Sequence, residues 1–122
     1  MGELFADWKR LMVANVQFHV ERGGKVEVWD FSGLSTETQE AIPAKGDRQT
    51  HLSYYWEAGH FKKKLGDLVM ARLLGNQSNF GIKLNKSNIE RWLTEDRNRV
   101  EKLLSTSSPL TSEVDDLLAL FR

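Results

Sequence analysis

Apolar side chains recur at helical spacing in three stretches of the chain, and this pattern predicts three main helices. The first covers residues 3–22, the second runs from about residue 62 to Gly75, and the third covers residues 87–104. The first two end at glycine, which adopts the left-handed conformation of a helix C-cap at little cost. The apolar positions, in chain order, are Leu4, Trp8, Leu11, Met12, Val16 and Phe18, then Phe61, Leu65, Leu68, Val69 and Leu73, then Ile89, Trp92, Leu93, Val100, Leu103 and Leu104.

Two shorter runs carry the signs of β-strands. Residues 25–31 are β-branched and aromatic and predict a largely buried strand. The alternation of Phe80, Ile82 and Leu84 predicts a second strand or an extended loop. Residues 32–52 are polar and predict a long surface loop. The chain is therefore expected to be a small, mostly helical α/β protein with one or two strands.

The first predicted elements occur in the order found in a common supersecondary unit, the βαβ crossover. A helix, a glycine turn and an apolar strand follow one another as in the second half of a βαβ crossover. Residues 1–104 are expected to form one α/β domain. Residues 105–122 are expected to be a tether followed by a short helix that either Thr111 or Ser112 caps, with Asp115 in a capping-box-like position. This helix is expected to pack either on its own domain or on a neighbouring subunit.

Composition narrows the classes of partner and of chemistry. Lysine plus arginine and aspartate plus glutamate balance at 17 each, so no net field favours nucleic acid or an anionic membrane. The absence of cysteine excludes disulfides, thiolate metal sites and a cysteine nucleophile. We find no apolar run near the roughly 20 residues that span a bilayer and no signal-peptide pattern. A soluble protein, cytoplasmic by default, is expected.

The best candidate for chemistry is a glutamate three residues before a histidine. Glu57 and His60 lie just ahead of the second helix, where a side chain can face a cleft while the helix packs into the core. The alternative is a helix-start pair in which the histidine bonds a loop carbonyl. His19 and His51 have no ligand spacing with His60, so neither a metal site nor a cofactor is expected.

Four further residues are candidates for ligand binding. Tyr54, Tyr55 and Trp56 form the densest aromatic cluster and either line a sugar or acyl cleft or belong to the core. Asp30 stands at the end of the predicted strand, a place where open α/β sheets often carry site residues. Its alternative role is to cap the turn that follows.

Two sequence blocks carry a family resemblance. The segment WDFSG at residues 29–33, followed by YYWEAGHFKKKLGDLVMARLLG at residues 54–75, resembles the C-terminal part of SGNH (GDSL-like) hydrolases, in particular bacterial envelope-associated members. The resemblance covers roughly residues 8–75. It implies the C-terminal part of a flavodoxin-like domain, the hydrolysis or transfer of ester-linked acyl groups, and an acylated carbohydrate as ligand.

The resemblance also assigns roles to the glutamate and the histidine. The last block of the family supplies an Asp-x-x-His, in which the histidine is the general base and the aspartate orients it. His60 matches the histidine, and Glu57 stands where the aspartate would be. A glutamate can also orient an imidazole, although its side chain is longer by one methylene.

Other parts of the family pattern are missing from the sequence. The nucleophilic serine of a Gly-Asp-Ser block and the oxyanion-hole glycine and asparagine have no counterpart upstream of Trp8, and Ser32 follows a late strand instead. We therefore expect a reduced SGNH-like domain without activity by itself, which an N-terminal half would complete. The alternatives are a non-catalytic binding module and a homo-oligomer in which a second copy completes the edge of a two-stranded sheet.

Overall fold

The computed structural model describes residues 2–57 and 59–106, which form a mixed α/β structure with three helices and two small antiparallel sheets. The predicted helix capped by Thr111 or Ser112, with the rest of residues 107–122, lies outside the described residues. The elements, in chain order, are α1 (Gly2–Val20), β1 (Val28–Asp30), β2 (Tyr55–Glu57), β3 (His60–Phe61), α2 (Lys63–Leu73), β4 (Ile82–Leu84) and α3 (Ile89–Ser105).

The three predicted helices are confirmed, and glycine closes the first two in the same way. After α2, the Gly75 N–H donates to the Arg72 carbonyl and the Asn76 N–H donates to the Ala71 carbonyl. This pair of bonds is a Schellman motif, and it requires a left-handed residue at Gly75, whose φ is 76°. The same two bonds follow α1, where Gly23 has a φ of 83°.

The strand predicted over residues 25–31 is shorter in the structure, and its neighbour is the second predicted strand. β1 pairs antiparallel with β4, with Val28 opposite Leu84 and Asp30 opposite Ile82. The ladder ends at Val28 and Leu84, and Asn85, the next residue of that chain segment, donates its N–H to the Asn88 side chain. Residues 32–52 contain no helix or strand, as predicted.

Both strand pairs among the described residues are antiparallel, so the described residues include no parallel strand that would complete a βαβ crossover with β1. The reason is the route of the chain. The strand beside β1 comes from the stretch after α2 and runs back in the opposite direction. The helix and glycine turn before β1 do have the predicted form.

The core lies between α1, α3 and one face of the β1–β4 sheet. Glu3 pairs with Arg97 and Arg10 pairs with Glu90, so the two helices run antiparallel. Their small and branched side chains allow a close approach and bury a compact cluster. Its members are Ala6, Val13, Leu84, Ile89 and Leu93, with Val28, Ile82 and Trp92 packed against them.

The face that α1 buries is not its widest apolar stripe. Ala6, Lys9 and Val13 point into the core, while Leu4 and Leu11 are 77% and 63% exposed. The large residues cannot fit where α3 approaches most closely, so they remain on the opposite side of the helix. Along α3 the predicted inward set is also only partly right. Ile89 and Leu93 are buried, but Val100 and Leu104 are exposed beyond the point where α1 covers the helix.

A buried ion pair links the helices to the sheet. The Lys9 Nζ lies 2.7 Å from the Asp30 Oδ2, and both residues are almost completely buried. Asp30 also accepts hydrogen bonds from the Trp92 indole at 2.8 Å and from the Ser32 backbone and hydroxyl at 2.9 and 2.6 Å. Burial opposes ionisation of Asp30, but these hydrogen bonds outweigh it and hold the pKa of the carboxyl below its ordinary value.

Replacing Lys9 with methionine should destabilise the fold strongly. The change keeps the length of the side chain but leaves the Asp30 carboxylate buried without its cation, and breaking such a pair typically costs about 3–5 kcal/mol. Urea denaturation of the wild type and the variant measures the difference. The matched control is Lys63→Met, which breaks the exposed Lys63–Asp67 pair and should cost less than about 0.5 kcal/mol. Equal losses in the two variants would contradict the structural role of Lys9.

The stabilisation due to Asp30 should depend on pH. Because its pKa is lower in the folded chain than the ordinary value of 3.8, ionised Asp30 favours folding above about that pH, and the contribution is lost as the pH falls below it. The stability gap between the wild type and Asp30→Asn should therefore be widest near neutral pH and shrink in acid. A gap that stays constant from neutral pH down to acid would be inconsistent with an ionised Asp30.

Candidate functional site

Glu57 and His60 face each other across a small hairpin. β2 pairs with β3, with Tyr55 opposite Phe61 and Glu57 opposite His60, and the register shifts between residues 55 and 57. Cross-strand partners separated by two residues are the mark of a tight hairpin, so the Glu-x-x-His spacing itself juxtaposes the two side chains. The sequence pattern did not predict these strands, because three and two residues are too few to show a period of two.

The glutamate holds one nitrogen of the histidine ring. The His60 Nδ1 and the Glu57 Oε1 form a short hydrogen bond, and the side chains are 75% and 65% exposed. No hydrogen bond to Nε2 is found among the described residues. A carboxylate on Nδ1 fixes the ring and favours the tautomer in which Nε2 carries a free lone pair. The pair therefore has the arrangement of an oriented general base, and it lies on the surface rather than in a groove.

The hairpin is tied to the long loop. The Glu40 carboxylate accepts the backbone N–H groups of Ser53 and Tyr54, which joins the loop to the segment just before β2. The Lys62 ammonium donates to the Leu52 carbonyl, and the Lys62 N–H donates to the Tyr54 carbonyl at 2.7 Å. These bonds fix the stem of the hairpin from both sides.

The second helix fixes the other end of the hairpin. Lys62 is the extended N-cap residue of α2, and Leu65 in the first turn is buried. The Phe61 ring lies against Gly66, where a β-carbon would come within 3.4 Å of it. His60 thus lies three residues before Lys63, the first residue of α2, and so just ahead of an anchored helix, as the sequence predicted.

The three aromatic residues of the hairpin have different environments. Trp56 is 73% exposed, and the Lys62 Nζ lies 4.5 Å from the centre of its ring. Tyr54 is half-buried, with the Lys64 Nζ at 4.7 Å from its ring. Burial, together with the nearby charges of Glu40 and Glu37, raises the pKa of Tyr55 above its ordinary value. Trp56 is thus the most exposed of the three rings.

Asp30 is placed in the core, away from solvent. Its two carboxylate oxygens are both occupied by donors, so no oxygen remains free to support the predicted role in ligand binding. The alternative role is visible, because the Ser32 N–H bonds back to Asp30 across the turn. Its main partner, Lys9, was not among the predicted residues. The sequence did contain a sign that Lys9 is buried, because residues 6, 9 and 13 lie on the same face of a helix and the other two, Ala6 and Val13, are apolar.

Comparison with protein-family models, with curated proteins and with solved structures finds no match to this chain. In the described part of the chain, no three histidine, aspartate or glutamate side chains group together so as to hold a metal ion. No helix among the described residues has the length and apolar character needed to cross a membrane.

The Glu57–His60 hydrogen bond predicts a tautomer that can be measured. In the wild type at about pH 9, where histidine side chains are neutral, the His60 proton should reside mainly on Nδ1. Glu57→Gln should shift the ratio toward the Nε2–H form by up to about fivefold, since the net contribution of such a hydrogen bond is about 1 kcal/mol. Long-range nitrogen–proton NMR spectra of the ring report the ratio.

Two controls belong to this measurement. Asp67→Asn removes one negative charge from the neighbouring helix but does not touch the imidazole, so it should leave the His60 tautomer unchanged. The exposed His19 and His51 rings serve as internal references. A His60 ratio that is the same in Glu57→Gln as in the wild type would show that the carboxylate does not orient the ring.

Proposed function

We propose that this chain is a reduced SGNH-hydrolase-like domain in which Glu57 and His60 supply the general-base pair for hydrolysis or transfer of ester-linked acyl groups. The observation that carries the proposal is the hydrogen bond from Glu57 to Nδ1, with Nε2 left open on the surface. In a serine hydrolase the two ring nitrogens of the general base have different roles. One is held by a carboxylate, and the other takes the proton of the nucleophile.

The nucleophile comes from another polypeptide segment in this proposal. The chain has no cysteine, and no serine, threonine or tyrosine hydroxyl among the described residues is hydrogen-bonded to Nε2. Ser32, the serine of the WDFSG block, donates instead to Asp30 at 2.6 Å. A base without a nucleophile and oxyanion donors does not accelerate acyl transfer appreciably, so the isolated chain is inactive.

One feature of the β1–β4 sheet agrees with a flavodoxin-like domain, and another differs from it. The face that carries Val28 and Asp30 packs against α1 and α3. On the opposite face, the Arg72 guanidinium of α2 lies 5.6 Å from the centre of the Trp29 ring. Helices on both faces of a sheet are a feature of doubly wound folds, but the sheets of such folds are mostly parallel, whereas β1 and β4 are antiparallel.

An acylated carbohydrate is the ligand class that we propose for the complete site. Trp56 offers an exposed ring on the hairpin that also carries the imidazole, and exposed tryptophan rings present an apolar surface with a polar edge. The C–H faces of sugar rings pack on surfaces of this kind. An ester carried by such a sugar would lie near the Glu57–His60 pair.

The isolated chain should hydrolyse short acyl esters no faster than buffer. Turnover of p-nitrophenyl acetate measures this, and a serine-directed phosphonate should label no residue stoichiometrically. Labelling of one serine, with turnover that is lost in His60→Ala, would show that the chain contains its own nucleophile and would overturn this part of the proposal.

The positive test supplies the missing half. The DNA upstream of the first codon is read for a Gly-Asp-Ser coding segment, and the encoded segment is co-expressed with the chain. Esterase activity should appear, and His60→Ala should lower it by about 10²- to 10⁴-fold, the usual contribution of a general base. Asp67→Asn is the control and should leave the activity unchanged. Absence of such a segment, or activity that does not depend on His60, would contradict the proposed function.

A further inference from the structure

The two outer edges of the β1–β4 sheet differ in how their backbone groups are used. On the β4 side, the Asn88 side chain donates to the Lys83 carbonyl and accepts the Asn85 N–H, both at 2.9 Å. A single amide thus takes the place of a neighbouring strand along this edge. The bonds also show that Lys83 and Asn85 point their backbone groups away from β1.

In an antiparallel ladder, the orientation of the Lys83 backbone groups also determines the orientation of those of its partner on β1. Trp29 lies opposite Lys83, and directly opposed residues are either both bonded to each other or both turned outward. Because Lys83 is turned outward, the N–H and C=O of Trp29 point to the free side of β1. Among the described residues, no hydrogen bond to either group is found. The outer edge of β1 is therefore an open template for strand addition.

An apolar groove of about 330 Å³ runs beside this edge. α1 forms one wall through Phe5, Trp8 and Met12, and β1 forms the other, with the Lys9–Asp30 pair between them. Trp8 is 53% exposed and Phe5 is 50% exposed, and Leu4 and Leu11 extend the apolar surface along α1. The open edge and the exposed face of the helix form one continuous surface.

We propose that this surface, the β1 edge together with the exposed apolar face of α1, binds a second copy of the chain. Two β1 strands related by a two-fold axis pair antiparallel with Trp29 opposite Trp29, and each copy then donates its outward N–H to the outward C=O of the other. The pairing is self-complementary and gives a four-stranded sheet in the order β4-β1-β1-β4. The two α1 helices lie on the same face of that sheet and bring their apolar residues together.

Three properties of the chain favour a second copy as the occupant. Its net charge is zero, so two copies do not repel each other through their overall charge. A strand of three residues offers few hydrogen bonds, so a stable contact also needs the adjacent apolar surface, and the two-fold arrangement buries both at once. Placement of Trp29 on the axis satisfies both outward groups of each copy. The inference does not depend on the proposed activity of His60.

The mass in solution tests the proposal. Analytical ultracentrifugation of the full chain at micromolar concentration should show a species of twice 14.0 kDa that dissociates on dilution. A monomer at every concentration up to about 100 μM would overturn the proposal, since interfaces of standard size have dissociation constants in the micromolar range or below. The edge would then be open to a different polypeptide, such as the complementary half of a hydrolase domain.

Two pairs of variants separate the edge from the helix face. Trp29→Pro removes the outward N–H without touching the bonds of β1 to β4, while Trp29→Ala removes the same side chain and keeps the N–H. Trp8→Lys places a charge on the exposed face of α1, and Met70→Lys places one at a similarly exposed position of α2. Far-UV circular dichroism confirms the fold of each variant.

Trp29→Pro should weaken the dimer more than Trp29→Ala does, and Trp8→Lys should raise its dissociation constant at least about tenfold. Met70→Lys should leave it unchanged. If Trp29→Pro does not fold, the dissociation constants of Trp8→Lys and Met70→Lys still show whether the dimer forms through the exposed face of α1. A dimer that is unaffected by Trp8→Lys, or is disrupted equally by Met70→Lys, would show that the copies associate elsewhere.

Discussion

The contact between Lys9 and Asp30 determines how the elements of this protein are arranged. It joins α1 to the end of β1, and Trp92 ties α3 to the same carboxylate. A buried ion pair usually adds little net stability compared with an apolar replacement, because the desolvation of both charges offsets their attraction. What it supplies is orientation. An ammonium buried at this depth must find its carboxylate, and this requirement fixes the rotation of α1 about its axis.

The rotation of α1 decides which residues remain outside. With Lys9, Ala6 and Val13 turned inward, the larger side chains Leu4, Trp8 and Leu11 are on the opposite side of the helix. The core is correspondingly thin, and no described side chain is completely buried. A face that pairs small residues inside with large apolar residues outside suits a helix covered on both sides. The exposed side is the surface that we propose as an interface, and the open edge of β1 lies beside it.

The parts of the structure that the sequence predicted correctly are those governed by local periodicity and by glycine. The three helices and the left-handed Gly75 follow from patterns within a single segment. The hairpin and the direction of strand pairing depend on contacts between distant segments, and no period marks them. Asp30 was predicted as a site residue from its position after a strand, but the partner that places it in the core, Lys9, is 21 residues earlier. The Glu57–His60 pair was predicted from its position ahead of the second helix and from the family resemblance, whereas the hairpin that places the two side chains opposite each other was not predicted.

The exposure of the Glu57–His60 pair bears on how such a site would work. Once the imidazole has accepted a proton, its charge pair with a carboxylate about 4 Å away gains about 1 kcal/mol in water and about 4 kcal/mol at the lower effective dielectric near a protein surface. With side chains 75% and 65% exposed, the carboxylate holds the imidazole only weakly. A second polypeptide segment that covers the hairpin would bring a nucleophile and would also exclude water from the pair. Under the proposed function, the same covering event would strengthen the orientation of His60 and supply the group on which it acts, so that the base would work only in the completed site.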